Sequence, residues 1–159
     1  MRDGATASAG AALGLLMVLC IGGGAASGLA FPIGDWYANL AKPSWTPPPW
    51  IFGPAWTLLY ALMAVASWRV WRTPPSRQRT AALGWFGAQL ALNFAWTPIF
   101  FGMRSPAIAL AEIAVLDVAI VATMAAFRRA DRAAALLLVP YAAWTAFATA
   151  LNLAIWRLN

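Results

Sequence analysis

Apolar residues run along this chain in blocks far longer than the alternations of a soluble helix or strand. Five blocks reach the roughly 20 residues that cross a bilayer. They fall at about 9–31, 50–70, 80–101, 105–127 and 132–156. Polar or turn-forming sequence separates them. "FPIGDWYANLAKPSWTPPP" lies between the first and second, and "RTPPSRQR" ends the second. "GMRSP" is a tight turn between the third and fourth, and "RRADR" divides the fourth from the fifth. The pattern predicts an all-α membrane protein. Residues 1–159 form one bundle of five transmembrane helices, with a Pro/Trp-rich loop at about 32–49 between helices 1 and 2.

Two segments qualify that pattern. Arg2, the apolar stretch and "GAASGLA" have the outline of a cleaved signal peptide. The apolar run continues to Phe31, beyond the length of a signal core, so it reads as a first transmembrane helix. "KPSWTPPPWIFGPAW", residues 42–56, carries five prolines, three tryptophans and a single charge, Lys42. Proline removes backbone donors and biases the preceding residue toward extended conformations. This stretch therefore reads as neither regular helix nor strand.

Composition strengthens the membrane reading. The chain is 62% hydrophobic and 10% charged, with mean hydropathy +0.68. Soluble domains are about half apolar and about a quarter charged. A net charge of +6 would hint at nucleic acid in a soluble protein. In a membrane chain it is a topology signal, and no nucleic-acid partner is expected. With five spans, one side holds Arg2, Arg69, Arg72, Arg77, Arg79, Arg128, Arg129 and Arg132. The other holds Lys42, Arg104 and Arg157. The positive-inside rule places the first side, with the N-terminus, in the cytoplasm.

The absence of histidine removes the usual metal ligand and the usual general base. Cys20 stands alone in an apolar run and reads as a small buried hydrophobe. No metal site is expected. No carboxylate pair or nucleophile beside a base is evident, so no catalytic residue follows from conventional enzyme chemistry.

Polar residues inside spans usually face the bundle interior. Gln89, Asn93 and Thr97 recur every four residues and form one stripe. They either bond helices together, at about 0.6 kcal/mol each, or wall a cavity. Gly84 with Ala88, and Gly87 with Ala91 and Ala95, are small-residue faces that suit internal packing or a homodimer interface. Glu112 and Asp117 are five residues apart, about 140° around a helix, so they do not share a face. A mid-membrane acid is nonetheless a candidate functional group. Trp36, Trp45, Trp50, Trp68, Trp71 and Trp156 lie near span ends and fit an interfacial belt. Trp144 lies too deep for that. With Tyr141, Thr145, Ala148 and Asn152 it shares a helical neighbourhood, while Trp56 and Tyr60 are one turn apart. A deep tryptophan beside a polar stripe suits a flat aromatic ligand.

"FPIGDWYANLAKPSWTPP", "WTLLY", "QLALNFAWTPIFFG" and "VPYAAWTAFATALNLAIWR" together carry a resemblance spanning about residues 31–157. The chain resembles the translocator protein family, also called tryptophan-rich sensory proteins or peripheral-type benzodiazepine receptors. The resemblance implies a five-helix bundle, usually dimeric. It implies a pocket for tetrapyrroles such as protoporphyrin IX and for synthetic aromatic ligands, capped by the first loop, with no required cofactor. Rigid prolines and flat tryptophans suit such a lid, since reduced flexibility lowers the ordering cost of binding. By resemblance the ligand-contacting positions are Trp36, Tyr37, Pro43 and Trp45 in the loop, Trp56, Asn93, Trp144 and Ala148. Members have been linked to light-dependent porphyrin breakdown, for which Trp56 and Trp144 are the similar positions. The eukaryotic sterol-recognition segment is broken here, with Leu153 in place of its tyrosine, so sterol binding is in doubt. The resemblance is to a bacterial member in the cell membrane. Three functions follow: tetrapyrrole binding in transport or regulation, light-dependent porphyrin degradation, or a structural or regulatory membrane partner with an incidental pocket.

Overall fold

The computed structural model describes residues 2–159, with side chains from Ser8 onward. The side chain of Arg2, one of the cations used for the topology, lies outside the described residues. Those described residues are helical with no strand. α1 (Arg2–Met17) continues through a π-helical turn (Val18–Gly22) into α2 (Gly23–Ala30). A short α3 (Asp35–Asn39) follows, then α4 (Pro49–Trp71) and α5 (Arg77–Thr97). A second π turn (Pro98–Gly102) leads to α6 (Pro106–Ala130), α7 (Arg132–Leu137) and α8 (Val139–Leu158).

Local chemistry sets the helix ends. Ser76 caps α5 by accepting from the Arg79 amide, and Ser105 caps α6 by accepting from Ile108. Asp131 caps α7 through the amides of Ala133 and Ala134 and also meets Arg69 of α4 at 2.9 Å. Pro49 and Pro106 occupy first-turn positions, where the missing N–H costs nothing. The Pro-rich stretch departs from its expected irregularity here, because the helix already begins at Pro49 and carries Pro54 inside it. Prolines near the start of a helix pre-set φ, which favours helical entry. Pro140 acts otherwise and breaks the last span at Leu138, separating α7 from α8.

Among the described residues, four stretches are long and apolar enough to cross a membrane: Ser8–Ala30, Pro49–Trp71, Pro106–Ala130 and Arg132–Leu158. The expected third span does not reach that level. Gln89, Asn93 and the four polar residues at its start, Arg77, Gln78, Arg79 and Thr80, dilute α5. It is held by protein instead, with Phe86, Gln89, Leu90 and Asn93 buried and α6 packed along it. α6 also packs on α8, and α1 on α4. Cys20 is buried in the main core, as expected. A second cluster of Tyr37, Phe100, Ala109, Leu151 and Ile155 closes the end of the bundle beneath the 32–48 loop.

Pro98 links sequence to packing. It has no N–H, so the Phe94 carbonyl one turn back is left free, and Ser27 of α2 donates to it at 3.3 Å. The π turn then closes through the Met103 amide on the Pro98 carbonyl, 2.8 Å. Arg104, at φ 53°, completes the reversal into α6.

Candidate functional site

Between α2, α4, α5 and α8, beneath the loop, lies a cavity of about 500 Å³. That is within the roughly 300–1,000 Å³ usual for small-molecule pockets. Its lining carries no lysine, arginine or carboxylate. The α2 wall is thin because it is built of Gly24, Ala25 and Gly28. At Gly24 the α2 backbone lies against the Tyr60 ring, so an added Cβ would overlap its Cε2. Gly23 is as tight against Phe94, at 2.5 Å.

Of the eight positions expected at a ligand, Tyr37, Trp56, Asn93, Trp144 and Ala148 line this one cavity. Trp36, Pro43 and Trp45 do not line it. Trp36 packs edge-on against Phe100 at 5.6 Å, beside Tyr37 against Phe100 and Phe101. Burial raises the Tyr37 phenol above its ordinary value. Pro43 shapes a turn, its carbonyl accepting from the Thr46 amide and hydroxyl. Trp45 is 48% exposed and rests edge-on against Phe147 at 5.7 Å.

The loop is tied down from two sides. Lys42 donates to the carbonyls of Tyr37, Ala38 and Leu40 at 2.6, 3.0 and 2.8 Å, satisfying the end of α3. Its ammonium also stands 4.9 Å from the centre of the Tyr37 ring. The Asn159 carboxamide meets both backbone groups of Ala41, at 3.0 Å each.

A directional hydrogen-bond chain runs between α4, α5 and α8. The Tyr60 hydroxyl donates to Asn93 Oδ1 at 2.6 Å. Asn93 Nδ2 donates to the Tyr141 oxygen at 3.1 Å, and the Tyr141 hydroxyl donates to Gln89 Oε1 at 2.8 Å. Gln89 Nε2 ends the chain, buried without a partner. The polar stripe of α5 therefore serves both of its readings. Gln89 bonds helices together, Thr97 lines the cavity, and Asn93 does both.

Other sequence candidates lie elsewhere. Asp117 accepts from the Thr149 hydroxyl at 2.8 Å, whereas both Glu112 oxygens are buried without a partner. Neither acid lines the cavity. Gly84, Gly87, Ala88 and Ala91 are exposed on the outer face of α5, and Ala95 is half-buried. Trp68, assigned to the interfacial belt, donates its indole N–H to the Ala9 carbonyl at 2.7 Å and ties α4 to α1.

Several lining residues were not singled out as ligand-contacting from sequence, among them Phe52, Tyr60, Trp96 and Asn152. Trp96 follows Asn93 by three residues and Asn152 follows Ala148 by four, so helical spacing carried that signal. The α2 glycines carried none, because their role depends on a partner helix.

The sequence matches the model of the TspO/MBR family over residues 16–157. It is 45% identical over 148 residues to the tryptophan-rich sensory protein of Cereibacter sphaeroides, covering 93% of this chain and 92% of that protein. It is 45% identical over 126 residues to the human translocator protein, covering 78% and 75%. A tryptophan-rich protein TspO of Archaeoglobus fulgidus is 41% identical over 148 residues, covering 91% and 94%. The membrane-crossing helices, the loop-capped cavity and this likeness agree: the chain is an integral multi-pass membrane protein that belongs to the TspO/MBR family.

Proposed function

We propose that this protein binds a flat tetrapyrrole, protoporphyrin IX or a close relative, in the cavity beneath the 32–48 loop, and acts in its transport or in regulating tetrapyrrole metabolism. The observation that carries the reading is the cavity itself: uncharged, about 500 Å³, with Trp56, Trp96 and Trp144 in one wall system. The names of the relatives speak of translocation and sensing, which fits a ligand held and passed on rather than converted. Trp36, Pro43 and Trp45 act here as the lid's own packing, with Tyr37 as its ligand-facing residue. α5 serves as the fifth crossing, shielded by its neighbours, and the cation distribution sets the N-terminus in the cytoplasm. The exposed small-residue face of α5 is the dimer contact. By likeness to the relatives from bacteria, the membrane is a bacterial cell membrane.

Quenching of intrinsic tryptophan fluorescence by protoporphyrin IX tests the reading. Saturable binding is expected, and its absence would overturn the proposal. Trp144→Ala removes a stacking surface worth about 0.5–1.5 kcal/mol beyond burial, a loss of about 2- to 12-fold in affinity. Ala148→Leu fills space beside it and should weaken binding too. Trp71→Ala, outside the cavity, should not.

Trp56 and Trp144 lining one cavity also favours a second reading, light-dependent porphyrin breakdown. An excited porphyrin would supply the reactivity and a neighbouring indole an oxidisable group. Loss of the bound porphyrin's absorption under illumination but not in the dark would select it.

A further inference from the structure

The cavity is walled unevenly on its α2 side. Three contacts, one turn apart, draw α2 toward α5 and the π turn that follows it. Gly23 lies against the Phe94 ring, Ser27 donates to the Phe94 carbonyl, and Phe31 packs against Gly102. The neighbouring face of α2, with Gly24 and Gly28, borders the cavity. Gly24 meets α4 there, against the Tyr60 ring. Ala9 meets Trp68 farther down, so the two helices run antiparallel. Toward the lid from Gly24 and Tyr60 the contact is lost. A Cβ added at Gly28, or at Gly53 of α4, would meet nothing within 4 Å. Of the lining residues on these two helices, Ala25, Gly28, Leu29, Gly53 and Thr57 are exposed, Leu29 at 82%. Residues that both line a cavity and are exposed mark its opening. The cavity therefore has a gap in its side, between α2 and α4.

At this level both helices belong to membrane-crossing stretches, Ser8–Ala30 and Pro49–Trp71, so the gap faces lipid. Gly53 and Thr57 lie about 6 and 12 Å from the start of α4, at about 1.5 Å per residue. That is the depth of the acyl chains nearest the headgroups of one leaflet. An amphiphile resting there, with its ring among the acyl chains and its acidic groups among the headgroups, is already level with the gap. The loop offers no such passage. Lys42 holds the carbonyls of Tyr37, Ala38 and Leu40, and Asn159 holds both backbone groups of Ala41. We propose that the gap between α2 and α4 is a side entrance, by which the cavity takes flat, largely apolar amphiphiles from the lid-side leaflet while the loop stays closed. This rests on the cavity being the ligand site. It deepens that reading by naming the class of ligand: molecules dissolved in the membrane rather than in water.

Stopped-flow quenching of tryptophan fluorescence by protoporphyrin IX tests it, with the full-length protein in phosphatidylcholine vesicles and release followed into empty vesicles. Gly28→Leu and Gly53→Leu narrow the gap from either side, at positions where an added Cβ meets nothing. Together they should slow association and release alike, each by about tenfold, the effect of about 1.4 kcal/mol added to the barrier. Slower release is the diagnostic part, because a variant that merely damaged or filled the cavity would release the ligand faster. Each single variant should show part of the effect, so the test survives a double variant that fails to fold. Ala41→Cys with Asn159→Cys, joined by a short thiol cross-linker, fastens the loop, and the buried Cys20 stays out of the linker's reach. The cross-linked protein should keep the wild-type rates. Unchanged rates or faster release in the Gly28 and Gly53 variants would overturn the side entrance, and so would slowed association in the cross-linked protein. In either case porphyrin binding itself would stand. Absence of any quenching of the wild type would instead remove the cavity reading.

Discussion

Tyr141→Phe isolates the buried hydrogen-bond chain. Tyr141 is 0% exposed, and its hydroxyl accepts from Asn93 and donates to Gln89. The substitution leaves the ring in place and removes one oxygen, so no sizeable void opens. Two lost interhelical bonds at about 0.6 kcal/mol each set a floor near 1 kcal/mol. The structure argues for more. Gln89 is 1% exposed and its Nε2 already lacks a partner. Losing the hydroxyl newly orphans Gln89 Oε1 and Asn93 Nδ2, and each buried unsatisfied group costs about 1–3 kcal/mol. We expect a loss of about 2–4 kcal/mol. Tyr60→Phe removes only the single bond to Asn93 and should cost about 1 kcal/mol. Adding Gln89→Leu to Tyr141→Phe replaces both partners by apolar groups and should restore about half the loss. The assay is equilibrium unfolding in mixed detergent micelles with rising dodecyl sulfate, followed by helical circular dichroism. If Tyr141→Phe costs no more than Tyr60→Phe, or if Gln89→Leu makes the variant worse, the orphaned carboxamide is not the source of the energy.

Gly24→Ala should destabilise the fold by about 1–3 kcal/mol through overpacking against Tyr60, whereas Gly14→Ala, which meets nothing within 4 Å, should be neutral or slightly stabilising in the same unfolding assay. Asp131→Ala should cost about 1 kcal/mol through the lost α7 cap, and Arg69→Ala clearly less, because the exposed ion pair contributes little; equal losses would place the energy in the pair instead. Leucine at both Gly84 and Gly87 should weaken self-association measured by sedimentation in detergent, and an unchanged dimer would exclude this face as the contact.

Hydrophobicity, segment length and charge asymmetry are properties of the chain alone, and they already specify a helical membrane protein. The lipid core leaves an apolar segment of this length little choice but to satisfy its backbone internally as a helix. Helical spacing likewise put Gln89, Asn93 and Thr97 on one stripe and Trp144 with Ala148 on one face. The α5 helix marks where chain-level reading stops. Its own composition falls short of a crossing helix, and contacts from α6 and the Tyr141 chain compensate for its polar side chains. The cavity is likewise a tertiary product. Gly24 matters because Tyr60 stands against it, Ser27 because Pro98 frees a carbonyl, and Asn152 because Pro106 takes one end of its carboxamide. Each depends on a partner between 36 and 67 residues away, as with Ser27 and Phe94. Local periodicity reports which face of a helix is polar. Which polar atoms find partners, and where a gap is left between two helices, is decided only when the helices meet.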